Sequence, residues 1–237
     1  MLFWTIGWPI IWVLIGSFSF TSNVPSETLS YTRGAISISM MVFALMTAGM
    51  ANLPGNIAQD RERGLLTKVM SMPVSPWKDF AGRILALLAF SGFSAMLVIF
   101  IGVVCGARFL FNGIDFMESL AFMLIIFVGS AGIGMLIGTF VKHVHGAIMS
   151  GVGLTVVSAA LSGVMTPYQY LPSVLQNFAR IYPISSANSA ITCLLVGEEY
   201  AGYNPLSMNQ TALTALVALS LFVLGMIAYS RVCWRKI

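Results

Sequence analysis

Long intervals without charge set the terms for this chain. No Asp, Glu, Lys or Arg lies between Arg33 and Asp60, Arg83 and Arg108, Glu118 and Lys142, Lys142 and Arg180, or Glu199 and Arg231. Crossing hydrocarbon takes about 20 apolar residues in a helix. A charge at mid-bilayer costs about 2.5–3.5 kcal/mol or more, so charges collect outside such intervals. The sequence is 58% hydrophobic and 8% charged, whereas soluble domains carry about 25% charged residues. Too few charges remain to coat a soluble fold. The composition therefore specifies an all-α integral membrane protein, and its net charge of +4 reports topology rather than nucleic-acid binding.

The intervals resolve into six spans in one domain covering 1–237, at about 2–20, 34–56, 84–105, 118–140, 147–165 and 209–230. The first opens on Trp4, Trp8 and Trp12, which suit an interfacial belt. It lacks the basic start and the A-x-A site of a cleavable signal. Span two ends on Asn52, Pro54, Gly55 and Asn56. A proline there requires neighbours that satisfy the carbonyls it frees. The pairs Gly102/Gly106 and Gly134/Gly138 permit close helix approach, read here as packing within the subunit. Segment 166–207 carries Pro167, Pro172 and Pro183. Its pieces 174–182 and 184–196 are too apolar for a solvated loop and too short to span. They form a re-entrant or interfacial helix pair before the last span. Arg180 within it faces either an anionic headgroup or a helix C-terminus.

Six spans put both termini on one side. That side holds Arg61, Arg63, Lys68, Lys78, Arg83, Lys142, Arg231, Arg235 and Lys236, while the other holds Arg33, Arg108 and Arg180. The positive-inside bias makes the termini and stretch 57–83 cytoplasmic.

Catalytic signatures are absent. There is no G-x-x-x-x-G-K-[ST] for nucleotide, no G-x-S-x-G and no H-E-x-x-H. Cys105, Cys193 and Cys233 have no C-x-x-C spacing and read as apolar packing. His143 and His145 fall on different helix faces and read as a solvated turn, so no metal or cofactor is assigned to this chain. No span carries an ionisable residue near its middle, which disfavours a proton relay. Such spans suit an amphipathic or lipid-like cargo, moved by rigid-body motion with energy supplied from outside the bilayer.

Stretch 57–83 is where that energy can enter. It gathers Asp60, Arg61, Glu62, Arg63, Lys68, Lys78, Asp79 and Arg83. Leu65, Leu66, Val69 and Met70 share one helical face, with Asp60 to Arg63 and Lys68 on the other surface. Pro73 ends this amphipathic helix and Pro76 restarts the chain, so the two prolines bracket a hinge. The same pattern would serve a simple interfacial anchor.

The run Asp60, Arg61, Glu62, Arg63, Gly64, then Met72 to Trp77, then Gly82-Arg83, resembles the permeases of the ATP-binding-cassette type-2 exporter family. Gly163, Pro167, Leu171-Pro172, Phe178 and Pro183 resemble that family's Pro-rich segment before the last span. The resemblance implies a pair of permease subunits, identical or not, bound to cytosolic ATPases that hold the ATP and Mg. It makes Asp60 to Met70, Gly64 included, a coupling helix seated on the ATPase. Members usually begin with a cytoplasmic amphipathic helix, whereas this sequence starts in an apolar run; either that helix lies outside this sequence or residues 1–12, with three Trp, partly replace it. The implied function is outward movement of a drug, lipid, glycan or peptide by a non-enzymatic membrane subunit in the cell membrane, in contact with lipid. A channel or secondary carrier without an ATPase, and a structural or immunity subunit, are the alternatives.

Overall fold

Helix α2, Ser26–Glu62, is the centre of the bundle. In its most apolar window 83% of residues are buried, against 17% for the last helix. The computed structural model describes residues 2–20, 24–72, 75–110 and 112–233. The hinge proline Pro73 and the tail residues Arg235 and Lys236 lie outside them.

In chain order the elements are α1 (Phe3–Ser19), α2, α3 (Leu65–Ser71), α4 (Pro76–Val104), α5 (Gly113–Phe140) and α6 (Val144–Leu161). They continue with α7 (Ser173–Ile181), α8 (Pro183–Leu195), α9 (Glu198–Ala201) and α10 (Met208–Cys233). Five of these, α2, α4, α5, α6 and α10, are long and apolar enough to span a membrane; α1 is a shorter apolar helix. No strand occurs among the described residues. α2 packs against α1, α4, α5, α6 and α8, while α10 lies along α5.

Charge does not end the second span where hydropathy alone places its end. α2 runs on unbroken through Asp60, Arg61 and Glu62. At about 1.5 Å per residue its 37 residues exceed the hydrocarbon thickness, so its charged last turn projects beyond it.

Pro54 is the difficulty inside α2. It has no amide to donate, and its ring crowds the carbonyl four residues back. The helix does not break; it widens into a π-turn over Ala48–Asn52, where the Leu53 amide donates to the Ala48 carbonyl. In that register the next donor, to Gly49, would be the amide that Pro54 lacks. Bare backbone meets the widened turn instead. A Cβ on Gly134 of α5 would overlap the Gly49 oxygen, and one on Gly151 of α6 would overlap the Met50 oxygen. Glycine at both positions lets three backbones converge, with Cα–H groups against carbonyls.

The two short helices before α10 differ from each other. Every residue of α8 except Cys193 is buried. Its small side chains, Ser185 to Ala190, fit between α2, α5 and α10. Its hydroxyls find partners: Ser185 donates to the Ser162 carbonyl, and Thr214 donates to Ser186 Oγ at 2.8 Å. α7 stays on the surface, with Val174 and Ile181 outward and Ala179 inward. The sequence expectation treated the two alike. Polar Gln176, Asn177 and Arg180 keep α7 out of the interior that α8 occupies.

Gly134→Ala is expected to destabilise the protein by about 1–3 kcal/mol through overpacking. Gly153→Ala, in α6 with open space around it, should stay within about 0.5 kcal/mol. Thermal melting in detergent checks the pair; equal melting points would refute the close-approach account.

Candidate functional site

The charged stretch divides into an inward half and an outward half. Arg83, on the second turn of α4, makes the centre of the inward half. Its guanidinium donates to Asp79 from Nε at 2.9 Å and from a terminal nitrogen at 3.2 Å, and donates also to Asp60 Oδ2. Tyr229 of α10 donates its hydroxyl to Asp79 at 2.9 Å. The Arg83 and Asp79 side chains are 15% and 12% exposed, so this is a largely desolvated fork rather than a surface pair.

Arg61 and Glu62 extend the same knot. Arg61 donates to the Thr139 carbonyl at 3.4 Å and to Cys233 Sγ at 2.8 Å. Glu62 accepts from the Val144 amide at 3.0 Å, and exposed His143 stands 3.7 Å away. One helical turn of α2 is thus tied to α4, α5, α6 and α10.

The expectation of one amphipathic helix from Asp60 to Met70 is corrected here. α2 stops at Glu62, Arg63 caps it, and Gly64 turns left-handed at φ 68°. Nothing lies within 4 Å of a Cβ at Gly64, so conformation and not space demands glycine. α3 then begins afresh. Its Leu66 is buried against Phe80 and Tyr229, Val69 is half-buried, and Leu65 is exposed at 42%. Met70 lies in its last turn. The Leu65–Leu66–Val69–Met70 face is therefore not one buried face. Arg63, Lys68, Met72, Trp77 and Lys78 point outward with Leu65. Pro76 is the first residue of α4, behind its N-cap Ser75.

Beside the knot a cavity of about 480 Å³ opens between α1, α2 and α4. Asn52, Asn56 and Gln59 line it from one face of α2, running down to Asp60 and Arg83. Asn52 donates to Thr5 Oγ1 at 3.0 Å, and its Oδ1 is buried without a partner. Sequence reasoning took Asn52 and Asn56 only as a rough helix end and gave Gln59 no role. Their i, i+4, i+7 spacing was the available signal. The Asp79–Arg83 pair was likewise legible at i, i+4; Tyr229 as its third member was not.

The residues of the 166–207 segment gather at the opposite end. Pro167 precedes the short 3₁₀ turn Tyr168–Tyr170, Pro172 caps α7 and Pro183 opens α8. Arg180 donates to the Tyr168 hydroxyl at 2.7 Å and lies over the rings of Tyr168 and Tyr203, 5.8 and 5.2 Å from their centroids. Two aromatic rings thus engage this guanidinium, which sits in the last turn of α7. Burial pushes the Tyr203 phenol above its ordinary pKa. Among the described residues no three His, Cys, Asp or Glu side chains gather as metal ligands.

The described residues form an all-helical bundle with five helices long and apolar enough to span a membrane, and a short helix bearing Lys68 lies at its knotted end. The family model for ABC-2 family transporter proteins matches residues 17–229, and the chain belongs to that family. It is 29% identical over 133 residues to the "Probable multidrug ABC transporter permease YbhR" of Escherichia coli (strain K12), and equally to that of Escherichia coli O157:H7. The alignment covers 54% of this chain and 34% of those relatives.

Arg83→Ala would strand Asp60 and Asp79 without their cation, at about 2–3 kcal/mol after allowance for partial solvent screening. Its melting temperature should fall well below the parent's, while that of Arg63→Ala, on the exposed side, should not move. Equal effects would mean that the fork adds nothing to the fold.

Proposed function

We propose that this chain is the permease subunit of an ATP-driven exporter, working as a pair of permeases bound to separate cytosolic ATPases. ATP and Mg bind on those partners, and this chain catalyses no reaction. The basic end, with both termini, faces the cytoplasm. The observation that carries the reading is the position of α3. It hangs by a left-handed glycine from a helix turn locked to four others, and presents Leu65 and Lys68 outward beside exposed Arg63.

Closure of the ATPases would press on this exposed surface. Because Asp60, Arg61 and Glu62 bind α2 to α4, α5, α6 and α10, the push moves the helices as a block. Such a block supplies the two-state movement that alternating exposure requires. The cargo is amphipathic, in line with the multidrug description of the relatives and with spans free of ionisable mid-points. The amide-lined cavity above Asp60 gives the cargo's polar part its first hydrogen-bonding surface.

The test is charge reversal on the outward face alone. Arg63→Glu with Lys68→Glu should leave insertion and melting unchanged, yet abolish co-purification with the ATPase and reduce ATP-dependent transport into inverted vesicles at least about tenfold, a coupling change of about 1.4 kcal/mol. Unimpaired transport by that variant would reject the docking assignment. Labelling of a single cysteine at position 68 from the outside of intact cells would reject the orientation.

A further inference from the structure

The outer sides of α4 and α10 each run down to an exposed cation at the basic end. On α4 the exposed Leu85, Phe93, Met96, Phe100 and Val103 follow helical spacing, and exposed Lys78 heads them. At about 100° per residue, Lys78, Leu85, Met96 and Val103 fall within about 20° of one line. On α10 the exposed Leu216, Leu219, Val223, Leu224 and Ile227 lead to exposed Arg231. We propose that Lys78 and Arg231 together bind the phosphate of an anionic phospholipid, whose acyl chains lie along these two apolar faces.

Depth sets the first limit. From Leu85 to Val104 α4 carries no charge. That interval rises about 29 Å, close to the hydrocarbon thickness of about 30 Å. Lys78 lies about 10 Å further out, in the headgroup layer, and its flexible stem reaches back toward the phosphates. Trp77 beside it is exposed at 61% and is of the residue type that favours this layer. The second cavity of the bundle, about 270 Å³ beside Met40, lies at the opposite end and takes no part.

The meeting of the two helices sets the second limit. The Tyr229 hydroxyl joins α10 to Asp79 of α4 at 2.9 Å, and the Phe80 ring packs against Phe222 and Tyr229, with centroids 5.4 and 6.4 Å apart. Lys78 immediately precedes Asp79, and Arg231 follows Tyr229 within the same turn. Both cations therefore stand at one depth, just beyond one shared contact. Two cations on neighbouring helices can share a phosphate, and the guanidinium can take two of its oxygens.

Charge sets the third. The nearby carboxylates are already engaged: Asp60 and Asp79 hold Arg83, and Asp79 also accepts from Tyr229. Neither Lys78 nor Arg231 is ion-paired among the described residues. Their counter-anion has to come from outside the chain. The apolar faces that run on from both cations select a lipid over free phosphate, and basic notches between helices on the membrane surface suit anionic headgroups.

The proposal goes beyond the exporter reading and needs no ATPase. The experiment titrates the purified chain in neutral detergent with brominated phosphatidylglycerol or brominated phosphatidylcholine and reads tryptophan quenching. A saturable component that disappears in Trp77→Phe should reach half-saturation at a mole fraction at least about tenfold lower for phosphatidylglycerol. Lys78→Gln with Arg231→Gln should level the two lipids. Arg63→Gln with Lys68→Gln removes as much charge from the same end and should keep the preference. Lys78→Arg with Arg231→Lys should keep it as well. Absence of a saturable phosphatidylglycerol component, equal affinity for the two lipids, or an equal loss in the Arg63 and Lys68 variant would each overturn the proposal. An unchanged preference in Lys78→Gln with Arg231→Gln, together with lost co-purification of the ATPase, would give this face to an acidic ATPase surface instead. A chain that prefers phosphatidylglycerol but is driven by no ATPase would sink the exporter reading and leave this site standing.

Discussion

A carbonyl oxygen without an amide is tolerable in water and costly in a membrane. Pro54 creates that situation in the middle of the most buried helix. The solution is glycine on the neighbours: Gly134 and Gly151 present bare backbone to the carbonyls of Gly49 and Met50. The device recurs where α5 meets α10, since a Cβ on Gly225 would overlap the Gly132 oxygen. Contact in this bundle is therefore backbone on backbone at its crossings. Hydrophobic burial drives little helix association inside lipid, so close van der Waals approach and satisfied carbonyls have to do it.

That rigidity gives the knot at the basic end its meaning. Charges at the edge of the hydrocarbon can pair across helices while their ends remain near water. Asp60, Arg61 and Glu62 use three consecutive positions to reach four different helices, which a single turn allows because successive residues point about 100° apart. A displacement delivered to α3 reaches α2 through the left-handed turn at Gly64. Beyond Gly64 the load passes into a unit in which α2, α5 and α6 cannot slide without a clash at Gly49 or Met50.

Much of this was legible in the residues. Charge-free intervals mark the long helices because hydrocarbon excludes charge whatever the packing. Pro167, Pro172 and Pro183 mark the starts of short helices, because proline fits a helix only at or before its first turn. The Asp60–Arg83 fork was not legible, because residues 23 apart in sequence announce no contact, and Tyr229 lies 150 residues from Asp79. The break at Gly64 was hidden by a leucine pattern that fits one continuous helix. Periodicity registers which side chains are apolar and not whether φ turns positive between them. The contrast between α7 and α8 escaped for a related reason. Both are short and moderately apolar, and only the smallness of the α8 side chains separates a helix that can enter a bundle from one that cannot.

The two cavities bear on where a cargo would travel. One lies against Met40 of α2 and the other begins at Asn52. Between them every residue of α2, 41 to 51, is buried. Met41, Phe43, Met46 and Met50 fill that interval within one buried apolar cluster that also takes in Ile126 of α5 and Ile184 of α8. Along α2 the two cavities are thus separated by a buried interval that includes the Gly49 and Met50 carbonyls. On the transporter reading this favours a route along the outer faces of the subunit. The faces available for it are the sparsely buried, apolar sides of α4, α6 and α10, with 28%, 28% and 17% of their apolar windows enclosed. Such faces are indifferent to lipid and to a second permease alike, and an amphipathic cargo can be exchanged between the two without ever meeting a dehydrated charge.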